Sequence, residues 1–414
     1  MVPRFFVVGA FDRFNYGDLL FPRVAQSLLK KRFPGASFDF YGLSSSDLSA
    51  QGGFKTKSMR QLYRNLKEYE GPSVIYIAGG EVLNMGWFNI WTHSANPFVV
   101  QIVRKVLRRI PGVNRDYIVQ TAYGSKDKLP YVVHPERFGT DKTCVVYNSV
   151  GGTDLPASDQ LATWRTEALN KAAFVAVRDH VSFQNLKSLQ VEKAKLAPDS
   201  AVAMRQMDEL SDGSAEHRRK MLDDLIPTRA INDGYICIQM AHKYSVNKVD
   251  EIATAIRELH EGLRLHIVLF SIGTAPGHDD HLSVRDISER IGEQDWLHSA
   301  PNNISIWQIA SLIENARCYA GTSLHGYITA FCFDVPRVGL AKVDKLRRFH
   351  ETWDLPDMRS NVSFPNLYLA VSSVFAVSKE KMEYVRREVE TAYLSSFDDL
   401  TGQLSGKALY PPFH

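Results

Sequence analysis

The sequence predicts an α/β protein built as two halves, each a parallel sheet covered by helices. Three observations carry this. Short apolar, β-branched runs alternate with amphipathic helical runs along most of the chain, which is the pattern of parallel strands joined by helical crossovers. The length of 414 residues exceeds one ordinary core and suits two domains of roughly 150–200 residues. The alternation breaks once, over residues 205–232, where charge is dense and no strand period survives.

In the N-terminal domain, residues 1–204, Phe5–Val8 reads as the first strand and Asp18–Arg32 as the amphipathic helix after it. Phe38–Tyr41, Val74–Ala78, Tyr117–Gln120, Cys144–Tyr147 and Phe174–Val177 are short, β-branched or aromatic, and bounded by turn residues, so each reads as a strand. Ser158–Ala173 reads as a helix with Ser158 as N-cap. Residues 205–232 form the crossover. In the C-terminal domain, residues 233–360, Gly234–Gln239 and His266–Phe270 read as strands, and Lys248–Glu261, Asp279–Ile291 and Ile306–Glu314 as helices. The remaining 361–414 form a helical tail, whose charged run Lys379–Leu394 is expected to pack back on the body.

Composition narrows the function. Hydrophobic residues at 44% and charged residues at 23% describe a soluble globular chain. A net charge of +3 gives no footprint for nucleic acid. The four cysteines lack metal-ligand spacing and suit buried positions in a reducing compartment. The N-terminus reads as a strand and not as a signal peptide, and no window approaches the roughly 18 apolar residues of a membrane span. These features point to a cytoplasmic protein. The basic amphipathic run Val103–Ile110 adds the option of peripheral contact with the inner face of the membrane. There is no Gly-x-Gly-x-x-Gly fingerprint, Walker A loop, Gly-x-Ser-x-Gly elbow, His-x-x-x-His or Cys-x-x-Cys, so no metal or dinucleotide is expected.

Ligands of open α/β sheets bind beyond the carboxyl ends of strands, and four such ends carry unusual residues. After the first strand come Asn15, Gly17 and Asp18, with Asp18 placed to cap the helix. Gly79, Gly80 and Glu81 follow the strand at 74–78, where paired glycines permit a backbone nest or a plain turn. Arg178 ends the apolar run at 174–177, where a guanidinium suits carboxylate or phosphate or forms a surface ion pair, and Asp179 orients it or caps the next helix. The fourth is Cys318–Leu340, a strand, a Gly-Thr-Ser loop, a helix and a strand. Thr322, Ser323, His325 and Gly326 open that helix, where free N–H groups and the helix dipole favour an anion beside a titratable imidazole. Beyond it, Arg337, Lys342, Lys345, Arg347 and Arg348 against Asp344 suggest a positive field for phosphate.

Taken in order, Asn15-Tyr-Gly-Asp18, Ala78-Gly-Gly80, Val177-Arg-Asp179 with Ser182, Ala197-Pro-Asp199, and Gly321-Thr-Ser-Leu-His-Gly326 with Pro336 ten residues on resemble the polysaccharide pyruvyl transferase family, over residues 5–350. The resemblance implies two Rossmann-like domains facing a cleft, as in the glycosyltransferase B-type fold. It implies a transferase that moves the enolpyruvyl group of phosphoenolpyruvate onto a sugar of a surface or capsular glycan, closing a pyruvate ketal. Phosphoenolpyruvate is the donor substrate, no cofactor is required, and the saccharide acceptor is free or lipid-linked. His325 and Arg178 would be catalytic. Thr322, Ser323, Gly326, Arg337 and Lys345 would bind the donor, and Asn15, Gly17, Asp18, Gly79, Gly80 and Glu81 the acceptor. This chain departs from the family at Ser323, where some members carry an Arg, and Arg337 or Arg347 is the substitute the sequence offers. Glu81 and Ala176 stand where the family has Gly and Ser. The competing readings are a nucleotide-sugar glycosyltransferase on the same architecture and a non-catalytic glycan-binding protein, the latter with Arg178 and His325 in separate ion pairs. Oligomeric state is not legible.

Overall fold

The computed structural model describes residues 3–95, 97–107, 109–110, 112–138, 142–156, 158–274 and 279–408. The first sheet holds β1 (Arg4–Val8), β2 (Ser37–Gly42), β3 (Ser46–Asp47), β4 (Lys55–Ser58), β5 (Ser73–Ile77), β6 (Thr143–Val150), β7 (Phe174–Val177) and β8 (Lys195–Leu196), ordered β3-β4-β2-β1-β5-β6-β7-β8. Its pairings are parallel except β3 with β4. The second sheet is parallel throughout and holds β9 (Tyr235–Gln239), β10 (His266–Phe270), β11 (Leu297–Ser299), β12 (Cys318–Gly321), β13 (Arg337–Leu340) and β14 (Arg359–Val362), ordered β11-β10-β9-β12-β13-β14. The central strands are apolar without alternation because helices cover both faces; every residue of β5 and β10 is buried.

Both sheets reverse direction in the middle, the first between β1 and β5 and the second between β9 and β12. A reversal splays apart the loops that follow the two strands and leaves a crevice at their carboxyl ends. The helix Tyr16–Arg32 joins the two reversals. One buried apolar cluster runs from Val7 and Leu20 in the first domain to Tyr319, Leu324 and Tyr327 in the second. Inside it the Tyr16 hydroxyl meets Thr329 Oγ1 at 2.8 Å, while Tyr16 N–H donates to Ile272 O at 3.0 Å. The domains are therefore tied together directly beneath the crevice.

The stretch 205–232 holds short turns and helices, and its Arg218 is buried against Glu314 of the helix Ile306–Glu314. The helix Lys379–Gln403 begins beside Asp334, paired with its Arg386, and ends on the first sheet's domain. There Tyr393 accepts from Asn148 at 2.9 Å and Asp399 pairs with Lys195 at 2.7 Å.

Three local expectations are corrected. Tyr117–Gln120 is helical, inside Arg115–Ala122, because the Asn114 side chain accepts from Tyr117 N–H at 3.0 Å and nucleates a turn that β propensity alone does not foresee. Ser158 caps nothing; that helix runs Ala162–Lys171 behind Leu161. Asp18 lies inside its helix, with Asn15 at the N-cap position donating from Nδ2 to Asp18 Oδ2 at 2.9 Å. Arg108, part of the basic run, lies outside the described residues, as do 409–414 of the tail.

Candidate active site

The two sheet reversals face each other across a cavity of about 260 Å³, near the roughly 300 Å³ lower end of small-molecule sites. Loops after β1, β5 and β7 supply Asn15, Asp18, Gly79, Gly80, Glu81 and Arg178 from one domain. Loops after β9, β10, β12 and β13 supply Gln239, Lys243, Asp280, Thr322, Ser323, His325 and Lys345 from the other.

Behind the cavity wall, just after β8, lies the fully buried Asp199. Its Oδ2 accepts from Arg178 Nη1 at 2.9 Å and lies 3.7 Å from His325 Nε2. The second distance is too long for a hydrogen bond and becomes a charge contact only when the imidazole carries a second proton. Burial pushes the Asp199 carboxyl up in pKa, but His325 and Arg178 more than reverse this and hold it at about 2. It is a carboxylate at any physiological pH. Arg178 Nη2 also bonds Glu81 Oε2 at 3.0 Å. Burial works against ionising Glu81, yet the guanidinium and the Thr153 donors outweigh it and lower its pKa. Burial alone would lower the Arg178 pKa, and the surrounding carboxylates raise it instead. Asp179 caps the following helix, its Oδ1 accepting from Ser182 N–H at 2.8 Å.

The His325 ring is walled in. Phe21 meets it edge-on with centroids 5.1 Å apart. On another side only a glycine fits, because a Cβ on Gly17 would stand 1.8 Å from Nδ1. Nε2 has no hydrogen-bond partner among the described residues. Gly79 and Gly80 have φ of +137° and +86°, values that L side chains rarely adopt, and let the backbone turn directly off β5 into the cavity wall.

Ser323 is the N-cap of the helix Leu324–Cys332, its hydroxyl accepting from Gly326 N–H at 3.3 Å. Thr322 ties the loops together: its N–H donates to Gln239 Oε1 at 3.1 Å and its Oγ1 accepts from Ala241 N–H at 2.9 Å. Gln239 Nε2 in turn donates to Asp280 Oδ2 at 2.8 Å. Oδ2 also takes the N–H groups of Ile272 and Gly273, and Oδ1 has no partner among the described residues. Burial raises the Asp280 carboxyl to about 6 against those donors.

Several placements correct the sequence reading. Arg337 does not reach the cavity. It lies at the amino end of β13, opposite the carboxyl ends that form the site, paired with Asp354 and stacked on Phe331 at 4.9 Å. Arg347 points away, bound to Glu351 and Asp344. Gly326 packs on Tyr319, where a Cβ would stand 2.3 Å from the hydroxyl, and is not in the cavity wall. Of the positive field expected of 337–348, Arg337 and Arg347 are neutralised by these pairs, and the contribution to the cavity is Lys345. Lys345 is solvent-accessible, and the pKa of its ammonium is lowered by burial first and by the Arg178 charge second. The sequence reading missed Arg13, Lys243, Tyr131, Gln239 and Asp280, all in the cavity wall. Among the described residues, Arg13, Lys243 and Lys345 have no carboxylate within ion-pair distance. Gln239 carried a signal, an amide ending an otherwise apolar strand; Arg13 and Tyr131 stand singly in loops, Lys243 lies in the short helix His242–Ser245, and Asp280 opens the helix Asp280–Ile291.

Among the described residues no cluster of three or more His, Cys, Asp or Glu is placed to hold a metal ion, and no helix is long and apolar enough to cross a membrane.

Residues 165–341 match the family model for polysaccharide pyruvyl transferase. The matched segment contains Arg178 and His325, which line the cavity, and Asp199, the buried carboxylate both contact. No curated protein matches the chain. Among solved structures, the S. aureus MnaA-UDP co-structure aligns with a TM-score of 0.59 at 10% identity, over 98% of this chain and 97% of that one. UDP-GlcNAc 2-epimerase from Neisseria meningitidis bound to UDP-GlcNAc aligns with a TM-score of 0.56 at 11% identity, over 97% and 99%. At such identities the likeness concerns the fold, which is of the glycosyltransferase B type.

Proposed function

We propose that this chain is a pyruvyltransferase that moves the enolpyruvyl group of phosphoenolpyruvate onto two hydroxyls of a sugar in a surface or capsular glycan. The observation that carries the reading is the shared carboxylate: His325 and Arg178 come from different domains, both line one cavity, and both contact Asp199 buried behind its wall. This arrangement argues against the separate ion pairs of a non-catalytic binder.

In this reading the donor's negative charge is met by Lys345, Lys243 and Arg13, which take over what Ser323 does not supply. Arg178 faces the cavity with its charge met by Asp199 and Glu81, so it acts chiefly by fixing those carboxylates. His325 delivers a proton to the methylene carbon of the donor and Asp199 stabilises the imidazolium beforehand. A sugar hydroxyl then attacks the central carbon and loses its proton to the imidazole. The carbon–oxygen bond to phosphate breaks and phosphate departs. A second hydroxyl closes the ketal, its proton ending on phosphate. One hydroxyl proton thus replaces the one delivered to carbon, and no oxidant or reductant is consumed.

Isothermal titration separates this from the nucleotide-sugar alternative, which the MnaA complex with UDP and the epimerase complex with UDP-GlcNAc keep in view. Binding of phosphoenolpyruvate supports the proposal; binding of UDP in its place overturns it.

A further inference from the structure

From Val82 to Arg115 the chain has no Asp or Glu, while Arg104, Lys105, Arg108, Arg109 and Arg115 are basic. The helix Pro97–Leu107 lies in this stretch. It turns Val100 inward and exposes Phe98, Val99, Ile102 and Val106 by 70%, 45%, 47% and 49%. At about 100° per residue these four fall on one outward face. Lys105 lies along one edge of that face and Arg109 follows just past the helix end, both exposed; Arg104 falls about opposite the face, on the side of Val100. The following helix, Arg115–Ala122, adds Tyr117 and Ile118, exposed by 63% and 47%. An ordinary solvated helix puts its charges outward and its apolar stripe inward. Here the apolar stripe is outward with cations at its border, the arrangement of a helix lying in the plane of an anionic membrane surface.

The same crossover borders the cavity. Met85 and Ile90 line its wall, and Ser94 Oγ accepts from Arg13 Nη1 at 3.3 Å, directly before the exposed helix begins. Self-association is the poorer occupant. A two-fold contact through this face would bring the two basic borders together with no carboxylate from the stretch between them.

We infer that the helix Pro97–Leu107 docks on an anionic lipid surface through Phe98, Val99, Ile102 and Val106, with Lys105 and, just past the helix, Arg109 on the headgroups. The rim of the cavity then sits at the membrane, where a lipid-linked saccharide would present its sugar; only this last step rests on the function proposed above.

The test is flotation of the full chain, without donor, on phosphatidylcholine vesicles with and without phosphatidylglycerol. The wild type is expected to float only with phosphatidylglycerol and to be released by salt. F98S/I102S/V106S is expected to abolish flotation, and K105Q/R109Q to weaken it on the order of twentyfold. Circular dichroism melts establish that each variant is folded; K105Q/R109Q, at two exposed positions, serves if the triple variant is not. A wild type that ignores phosphatidylglycerol overturns the inference. So does a wild-type dimer, seen by light scattering, that F98S/I102S/V106S converts to monomer. Because no donor is present, a failure here is distinct from a failure to bind phosphoenolpyruvate.

Discussion

Nε2 of His325 lies 3.7 Å from Oδ2 of Asp199, the oxygen that also takes Nη1 of Arg178 at 2.9 Å. One carboxylate thereby couples the ends of strands from both sheets. Its position sets the imidazole orientation and the guanidinium position at once, so its removal disturbs both.

Asp199→Asn is expected to lower turnover with phosphoenolpyruvate and to cost about 3–5 kcal/mol, since Arg178 is left buried with Glu81 as its remaining ion-pair partner. The folded pKa is depressed, so the stabilisation is present above the ordinary carboxyl value and is lost as pH falls towards about 2. Denaturant melts of both proteins from pH 7 downward should show the difference narrowing below pH 4 or so.

Gly17→Ala is expected to disable the site while leaving the fold largely intact. The new methyl group meets the His325 ring. Overpacking costs about 1–3 kcal/mol, and a displacement near 1 Å at the reacting group costs on the order of a hundredfold in rate. Melting temperature and turnover on the same preparation check this; unchanged turnover would remove His325 from the chemistry.

Lys345→Gln is expected to raise KM for phosphoenolpyruvate roughly ten- to a hundredfold, the worth of one charged hydrogen bond to an anion, with a smaller effect on kcat. Steady-state phosphate release measures the split. An effect on kcat alone would move Lys345 from donor binding to another role.

Asp280 predicts a pH dependence of the opposite sign to Asp199. Burial raises its folded pKa to about 6, so the folded state binds the extra proton and stability declines as pH rises from the ordinary carboxyl value to about 6. Asp280→Asn should remove that decline, worth at most about 3 kcal/mol, leaving a flatter profile of melting temperature against pH.

Much of the fold was legible because its signals are local. The apolar runs ending at Val177, Gln239 and Gly321 announce strands, and Ser323 before Leu-His-Gly announces a helix start; these place Arg178 and His325 at strand ends. Asn114 misled the reading at 117–120, since one capping side chain outweighs the β propensity of Tyr-Ile-Val. The site's arrangement was less legible. Asp199 stood out as part of Ala-Pro-Asp, yet nothing in sequence says that it faces a histidine from the other domain. Arg337 looked available because its partner Asp354 is seventeen residues away. Arg13, Lys243 and Asp280 are single polar residues in a loop, a short helix and a helix start, and only the facing of the two sheet reversals brings them together.

The most direct measurement is phosphate release from phosphoenolpyruvate with glycan intermediates from the producing cell, with mass spectrometry of the product. The account predicts that the wild type releases phosphate in step with a pyruvate ketal on sugar, and that His325→Gln is slower by about 10²–10⁴-fold while remaining folded. No ketal from the wild type, or a His325→Gln variant that turns over at the wild-type rate, would contradict it.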